Sequence, residues 1–174
     1  MNFGNKNYKR GELYVKFCSL QVKMDMPKFV TPFSCLVVGP TKAGKSTFVR
    51  KFIENRNYVM DKQPEIILYF YLEYQPAYRE LSDMGVVFIQ GLPDIQQLQE
   101  NKDTTKLVIF DDLMVDSKNN SNLIKLSIVG MHHWNVSCIT IVQNLFYDGL
   151  RTSRINCQYV ILVKNPSDKL QALT

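Results

Sequence analysis

The 174-residue chain lacks the features that define several special classes of protein. Its longest apolar run, from Ile66 to Leu72, has seven residues, whereas a membrane-spanning helix needs about 18 or more. It has no internal repeat, no low-complexity linker and no apolar signal core in its first residues. We therefore expect an intracellular protein without a membrane partner. A composition that is 45% hydrophobic and 21% charged argues against a disordered or collagen-like chain.

The four cysteines, Cys18, Cys35, Cys138 and Cys157, form no C-x-x-C pair, and the last three lie in apolar stretches typical of β-strands. This spacing argues against a zinc site and against a disulfide scaffold. It predicts reduced and buried thiols.

Charge is distributed unevenly, although the net charge is only +5. Residues 1–56 carry 11 basic and 3 acidic side chains, whereas residues 57–174 carry 10 and 13. A basic first third indicates either a polyanion nearby, such as nucleotide phosphate or nucleic acid, or a solvated lysine-rich face. Both readings stay open for the lysines that precede residue 32.

Apolar segments alternate with segments of helical periodicity. The expected strands are Phe33–Val38, Ile66–Leu72, Val86–Ile89, Leu107–Phe110, Val136–Val142 and Tyr159–Val163, and helices are expected around Phe48–Ile53, Ile95–Leu98 and Leu123–Val129. Strands that are apolar throughout are typical of a parallel sheet with helices on both faces. We predict a three-layer α/β domain over residues 32–174, after a basic, irregular or short-stranded lead-in over residues 1–31. The ending at Thr174 predicts either a short last element or a truncated chain.

The segment from Gly39 to Thr47 fits the phosphate-loop pattern G-x-x-x-x-G-K-[ST] and lies between an expected strand and an expected helix. Its glycines allow backbone amides to turn toward a phosphate, and the helix N-terminus adds partial positive charge. Lys45 is expected to reach the β- and γ-phosphates, and the Ser46 hydroxyl to bind Mg²⁺. The predicted nucleotide-binding residues are Gly39, Pro40, Thr41, Lys42, Ala43, Gly44, Lys45, Ser46 and Thr47.

Two carboxylates, Asp111 and Asp112, follow the apolar strand that begins at Leu107. In a parallel sheet this end of the strand faces the same crevice as the phosphate loop. Asp111 is then expected to hold Mg²⁺ together with Ser46, and Asp112 to act as general base toward the attacking water. The alternative is a strand that simply runs into an acidic turn.

Another apolar strand, Val136–Val142, ends in Gln143 and Asn144. An amide at this end of the sheet is suited to sensing the γ-phosphate or orienting water, and we assign that role to Gln143. Asn144 could instead cap the next helix.

Other phosphate-loop classes are disfavoured by what is missing. The segment Asn101–Thr104 resembles the guanine-reading N-K-x-D motif, but its aspartate comes one position too early. The sequence has no L-S-G-G-Q-like segment, which disfavours a transporter-type ATPase. A small-molecule kinase usually carries an arginine-rich lid, and here only Arg151 and Arg154 cluster.

Some aromatic and histidine residues invite other interpretations. Adjacent His132 and His133 point in different directions on a helix and lack a third ligand nearby in sequence, so we do not predict a metal site there. Trp134 is expected to pack rather than to stack on a base. Tyr69 and Tyr71 lie inside a strand and are expected in the core.

Several further segments occur in a fixed order along residues 32–169. They are Pro32-Phe33, Val38–Thr41 with Gly44–Ser46, Tyr74–Pro76, Gly91–Pro93, Asp111–Met114, His132-His133 with Asn135, Gln143–Phe146, Arg151, Asn156 with Tyr159, Lys164–Pro166 and Asp168. Together they resemble the viral genome-packaging ATPases of the FtsK–HerA superfamily, and most closely its poxvirus-type and Maverick/Polinton-type branch. The chain departs from that pattern at Lys42-Ala43, at Met131 and at Ser167.

The resemblance implies a RecA-like P-loop NTPase fold in which the Gln143 strand separates the acidic strand from the phosphate-loop strand. It also implies a Mg²⁺-dependent ATPase that forms a homo-oligomeric ring and drives double-stranded DNA, without sequence specificity, into a capsid. Capsid or portal proteins would be its partners, in the host cytoplasm or nucleus. Two rivals stay open: a cellular DNA translocase or helicase, and a transposon-derived remnant that binds nucleotide or DNA without turnover.

The resemblance also suggests an arginine finger, which reaches the nucleotide of a neighbouring subunit. Arg151 falls on the arginine that follows the Q-N-L-F segment in this family and is the first candidate. Arg154 ranks second. A surface ion pair is the alternative role for either residue.

Overall fold

The computed structural model describes residues 27–76, 78–99, 102–113, 131–146 and 150–163. Within these ranges the strands are β1 (Ser34–Val38), β2 (Ile66–Tyr71), β3 (Val86–Gln90), β4 (Lys106–Asp111), β5 (Val136–Val142) and β6 (Tyr159–Leu162). The helices are α1 (Lys45–Glu54), α2 (Arg56–Val59), α3 (Tyr78–Ser82), α4 (Ile95–Gln99), α5 (Met131–Trp134) and α6 (Arg151–Asn156). Each predicted strand and the first two predicted helices are confirmed, with ends that differ by at most one residue except at the start of α1, which lies three residues before Phe48. The predicted helix around Leu123–Val129 lies outside the described residues, as do residues 1–26, Met114, Lys164–Pro166 and Asp168.

The six strands form one sheet in the order β3-β2-β4-β5-β1-β6, and every described pairing is parallel. Strands β1, β4 and β5 are buried along their whole length because helices cover both faces of the sheet. The predicted α/β class is therefore confirmed. Strand β5 lies between β1 and β4, which is the order that the family resemblance implied.

Alternate residues of each strand feed two separate hydrophobic cores. On one face, Val37 of β1 packs in a cluster with side chains of α1, α2 and α3. On the other face, Leu36 and Val38 pack in a cluster with Leu98 of α4 and Trp134 of α5. The result is the predicted three-layer arrangement.

The prediction for the cysteines needs one correction. Cys35 and Cys138 are buried in strands β1 and β5 as free thiols, and burial raises the pKa of Cys138 to about 12. Cys157 is half-buried and lies in no strand, since it follows the end of α6. Its apolar neighbours belong to the strand that begins two residues later.

The described end of the lead-in makes an isolated parallel bridge between Phe29 and Met60. The Phe29 ring packs against Phe33, Phe52 and Tyr159, with ring centroids 4.5 to 5.2 Å apart. None of the helices in the described ranges is both long and apolar enough to cross a bilayer.

Candidate nucleotide-binding site

The phosphate loop joins the carboxyl end of β1 to the first residue of α1. Gly44, just before the helix, has a φ of 102°, and Lys42 has a φ of 64°. A Cβ on Gly44 would meet no atom within 4 Å, so the left-handed backbone rather than crowding requires glycine there. A Cβ on Gly39 would lie only 3.1 Å from the Cβ of Val163, so this glycine allows the loop to approach the residue that follows β6 closely.

The loop is held by backbone hydrogen bonds that leave the start of α1 open to an anion. The Gly39 N–H donates to the Val142 carbonyl at 3.2 Å, and the Ala43 N–H donates to the Pro40 carbonyl at 3.1 Å. Gly44 caps α1 without a side-chain hydrogen bond, and the first turn has no acidic residue. The first N–H groups of this ten-residue helix lack intrahelical acceptors, so they suit a phosphate.

Lys45 is buried within the loop that precedes it, with only 7% of its surface exposed. Its Nζ donates to the Gly39 carbonyl at 2.8 Å and to the Pro40 carbonyl at 3.1 Å. An ammonium group has three donors, so one remains for a phosphate oxygen. The loop therefore holds a positive charge beside the open helix end.

The two carboxylates at the end of β4 have different surroundings. Asp111 is 6% exposed, and its Oδ2 accepts hydrogen bonds from the hydroxyls of Tyr69 and Tyr78, each at 2.8 Å. Asp112 is half-buried, has a φ of 53°, and accepts a hydrogen bond at 3.3 Å from Nε2 of Gln143. The structure therefore brings the predicted base and the predicted sensor into direct contact.

The pKa of Asp112 is raised above the ordinary value for an aspartate, chiefly because the carboxyl group is desolvated. The nearby charge of Asp111 also raises it, whereas the Gln143 hydrogen bond and the positive charge of Lys45 lower it. A carboxylate with a raised pKa is a stronger proton acceptor, which suits a general base.

These residues meet because three adjacent strands end at the same edge of the sheet. The Asp112 N–H donates to the Ile141 carbonyl of β5 at 3.3 Å, and Gly39 donates to the next carbonyl of β5. Gln143, the residue after β5, lies between the acidic strand and the loop. This edge is where parallel α/β sheets bind ligands.

An open cleft of about 160 Å³ lies beside the loop, and Ser46, Tyr69 and Tyr78 are among its lining residues. The Ser46 hydroxyl and the Asp111 carboxylate are the hard oxygen donors that Mg²⁺ prefers. The open helix end and the Lys45 ammonium match phosphate oxygens. The residues present therefore fit a nucleotide with its Mg²⁺, which Ser46 and Asp111 would hold.

The two candidate finger arginines differ in their burial and in their contacts within the chain. Arg154 is half-buried, donates to the Leu145 carbonyl at 3.2 Å and lies 4.9 Å from the centre of the Phe146 ring. Arg151 is exposed at the first position of α6. Arg151 stays the first candidate for the finger, and its role stays a prediction.

Sequence reasoning missed Tyr69 and Tyr78 as members of the site. Tyr69 was expected to be a core residue, and its ring is indeed 1% exposed, but its hydroxyl binds Asp111. The register between β2 and β4 indicates the position of Tyr69. Tyr71 pairs with Asp111, so residues 69 and 71 lie on the same face of the sheet as Asp111. Tyr78 carried no such signal, because its position depends on how α3 packs.

The remaining aromatic and histidine predictions concern residues at the opposite edge. Trp134 is buried in the second core, as expected. His133 is exposed, and no cluster of three metal-ligating side chains forms within the described ranges.

Comparisons with known proteins extend this picture of the fold. No family model and no curated protein matches the chain. A genome packaging NTPase from Sulfolobus turreted icosahedral virus 2, solved with ATP-gammaS, is 16% identical with a TM-score of 0.55, and the match covers 82% of this chain and 81% of that one. EssC ATPases 2 and 3 from Geobacillus thermodenitrificans are 14% identical with a TM-score of 0.56, over 84% of this chain and 35% of that one. The cytoplasmic domain of EssC is 13% identical with a TM-score of 0.52, over 80% and 33%.

The chain has the RecA-like fold of P-loop ATPases. It spans about a third of the EssC chains and most of the viral one.

Proposed function

We propose that this chain is a Mg²⁺-dependent ATPase of the FtsK–HerA type that drives double-stranded DNA into viral capsids. The observation that carries the proposal is the meeting of the phosphate loop, the Asp111–Asp112 pair and Gln143 at one edge of the sheet. The β4-β5-β1 order brings the acidic pair, the amide and the loop side by side.

Each residue has a definite task in the proposed hydrolysis. The loop amides and Lys45 offset the negative charge of the phosphates, including charge that develops during transfer. When bound, Mg²⁺ neutralises phosphate charge, and Ser46 and Asp111 hold it. Gln143 orients the attacking water, and the Asp112 carboxylate accepts its proton.

The viral task rests on two further observations. The likeness to a viral genome packaging NTPase extends over four fifths of both chains, and the ordered motifs of residues 32–169 resemble packaging ATPases. The basic first third of the chain suits a DNA backbone contact without sequence preference. In this proposal the chain works as a homo-oligomeric ring with capsid or portal proteins, inside the host cell where virions assemble.

A second candidate is a motor ATPase of the same fold whose task lies outside virion assembly, such as a cellular DNA translocase. The likeness to the EssC ATPase domains supports it, because their TM-score of 0.56 is as high as the 0.55 of the viral likeness. The two candidates share their chemistry and differ in whether the hydrolysis serves virion assembly.

The test measures ATP hydrolysis with and without double-stranded DNA over a range of salt concentrations. We expect stimulation by DNA of any sequence, and the stimulation should weaken as salt rises because backbone contacts release counterions. Lys45→Ala should abolish hydrolysis, whereas Lys51→Ala, which removes an exposed cation from the same helix, should not.

Stimulation by DNA is expected of a packaging ATPase and of a cellular DNA translocase alike, and other outcomes bear on both candidates. Hydrolysis that DNA does not stimulate would favour a motor with another cargo. A wild-type chain that neither binds nor hydrolyses ATP, or a Lys45→Ala variant that retains full turnover, would overturn the proposed function.

A further inference from the structure

Two tyrosine hydroxyls from different elements converge on one oxygen of Asp111. Tyr69 comes from β2 and Tyr78 from α3, and both donate to Oδ2 at 2.8 Å. Both rings are almost fully buried, at 1% and 2% exposure, and their centroids lie 5.0 Å apart. The residues lie 42 and 33 positions from Asp111 in sequence, so the fold itself builds this contact.

The two hydroxyls act as permanent donors. An ionised carboxylate has no hydrogen to donate, so each phenol O–H is the donor in its bond to Asp111. The only polar side-chain atom of each buried tyrosine is thereby satisfied by the carboxylate. Two O–H groups that point at one oxygen fix the orientation of the carboxylate plane.

This arrangement leaves the other carboxylate oxygen for a different partner. Both hydrogen bonds that the described residues make to the Asp111 side chain end on Oδ2. The tyrosines also line the open cleft of about 160 Å³ that Ser46 lines from the side of α1. The cleft is thus bordered by one serine hydroxyl from the phosphate loop and by the two phenols that hold Asp111.

Helix α3 is also tied to the phosphate-loop helix. Arg50 of α1 forms an ion pair with Glu80 of α3, and a longer one with Glu54 at 3.7 Å. Glu80 lies two residues after Tyr78, so α3 connects α1 to the carboxylate at the end of β4. The Arg50–Glu80 ion pair therefore joins the helix that presents Ser46 to the helix that carries Tyr78.

We propose that Tyr69 and Tyr78 are positioning residues that hold Asp111 by Oδ2, so that Oδ1 faces the hydrated Mg²⁺ of a bound nucleotide. The inference rests on the proposed function, because it assumes a nucleotide–Mg²⁺ complex in this site. Partners that orient a metal-binding side chain typically change metal affinity or activity by about 10- to 100-fold when they are removed.

The test uses the full chain with Tyr78→Phe and, separately, Tyr69→Phe. A fluorescent ATP analogue is titrated at a series of Mg²⁺ concentrations and again in EDTA, and Mn²⁺ binding with ADP is followed by electron paramagnetic resonance. We expect the Mg²⁺ concentration at half-maximal binding, and the Mn²⁺ dissociation constant, to rise about 10-fold in each variant. Nucleotide binding in EDTA should stay unchanged, because the loop and Lys45 are intact.

The matched control is Tyr71→Phe, which removes a hydroxyl from the same strand. Tyr71 is half-buried in the same aromatic cluster, with ring contacts to Tyr74, Tyr78 and Phe88. This variant should retain the wild-type Mg²⁺ dependence. If Tyr69→Phe fails to fold, as judged by thermal unfolding, Tyr78→Phe still decides the question.

Two failures can be told apart. If wild-type protein binds nucleotide with a clear Mg²⁺ dependence and both phenylalanine variants behave like Tyr71→Phe, the positioning role is wrong and the proposed function stands. An equal loss of binding with Mg²⁺ and in EDTA also overturns the positioning role. If the wild type binds no nucleotide under any condition, the proposed function fails first.

Discussion

At the residue scale, Asp112 combines an unfavourable backbone conformation with an unfavourable charge. Its φ of 53° lies in the left-handed region, which asparagine tolerates better than most residues with a side chain. Desolvation and the neighbouring Asp111 carboxylate disfavour its ionised form. Such costs concentrate at functional sites, where the rest of the fold offsets them.

We predict that Asp112→Asn stabilises the nucleotide-free protein at pH 7 by about 1 kcal/mol while it lowers ATP turnover by about 100-fold or more. Because the pKa of Asp112 is higher in the folded chain than in the unfolded chain, protonated Asp112 stabilises the fold, and this stabilisation is fully present at low pH. It is lost as pH rises through the folded-state pKa. The increase in the free energy of unfolding caused by Asp112→Asn should therefore be largest at neutral pH and become smaller as the pH falls. Urea unfolding at several pH values measures it.

The control for this prediction is Asp83→Asn, which removes a carboxylate from an exposed turn. It should change stability by less than about 0.5 kcal/mol. If Asp112→Asn were less stable than wild type at pH 7, or as active, the assignment of Asp112 as the strained base would be wrong.

A second prediction concerns the pH profile of hydrolysis. The Gln143 hydrogen bond lowers the pKa of Asp112, so Gln143→Ala should raise that pKa further. Since a base must be ionised, the acidic limb of the turnover profile should move to higher pH. The measurement is the rate at saturating ATP and Mg²⁺ against pH, normalised to the maximum of each variant. Gln90→Ala, which removes an amide from the carboxyl end of β3, should leave the limb in place; a limb that moves to lower pH in Gln143→Ala would contradict the proposal.

At the element scale, α1 both presents the phosphate loop and covers one face of the sheet. Val49 and Ile53 on this helix are fully buried against the core of that face. We predict that Ile53→Ala lowers the free energy of unfolding by about 2–5 kcal/mol, because it removes buried methylene groups and leaves a cavity. Lys51→Ala on the exposed side of the same helix should change it by less than about 0.5 kcal/mol. Denaturant unfolding compares the two, and equal effects would show that α1 does not pack as described.

Local pattern predicted the elements well and the contacts between them poorly. Strand β5 was recognisable because seven consecutive residues avoid charge, which is what a strand covered on both faces requires. The phosphate loop and Asp111 were recognisable because each sits next to an apolar strand. The tyrosine contacts to Asp111 were not, since they join residues 33 and 42 positions apart and depend on packing. Cys157 was misplaced because the apolar residues near it belong to β6, which begins two residues later, whereas Cys157 itself follows the end of α6.

At the scale of the whole molecule, the arginine that lines the cleft within the chain, Arg50, is paired with Glu54 and Glu80. Arg154 is engaged with Leu145 and Phe146, whereas Arg151 is exposed. In a head-to-tail ring, one face of each subunit lies against a different face of the next, so an exposed residue of one subunit can reach the site of its neighbour. A finger supplied by a neighbour contributes about 10³- to 10⁵-fold in rate in other nucleotide hydrolases. A ring would thus add an arginine from the neighbouring subunit to the positive charge that Lys45 supplies within each chain.

The last prediction tests this role by mixing two inactive variants. Arg151→Ala subunits retain Lys45 and bind nucleotide, and Lys45→Ala subunits retain Arg151, so each alone should turn over ATP at least about 100-fold more slowly than wild type. In rings assembled from equal amounts, a nucleotide-competent subunit meets an intact arginine at roughly a quarter of interfaces, and the mixture should recover roughly that fraction of the wild-type rate. The control replaces Arg151→Ala by Arg154→Ala, whose effects should stay within its own subunit because Arg154 is engaged there with Leu145 and Phe146. A mixture no faster than the sum of its parts would show that Arg151 does not act on a neighbour, and recovery with Arg154→Ala instead would reassign the finger.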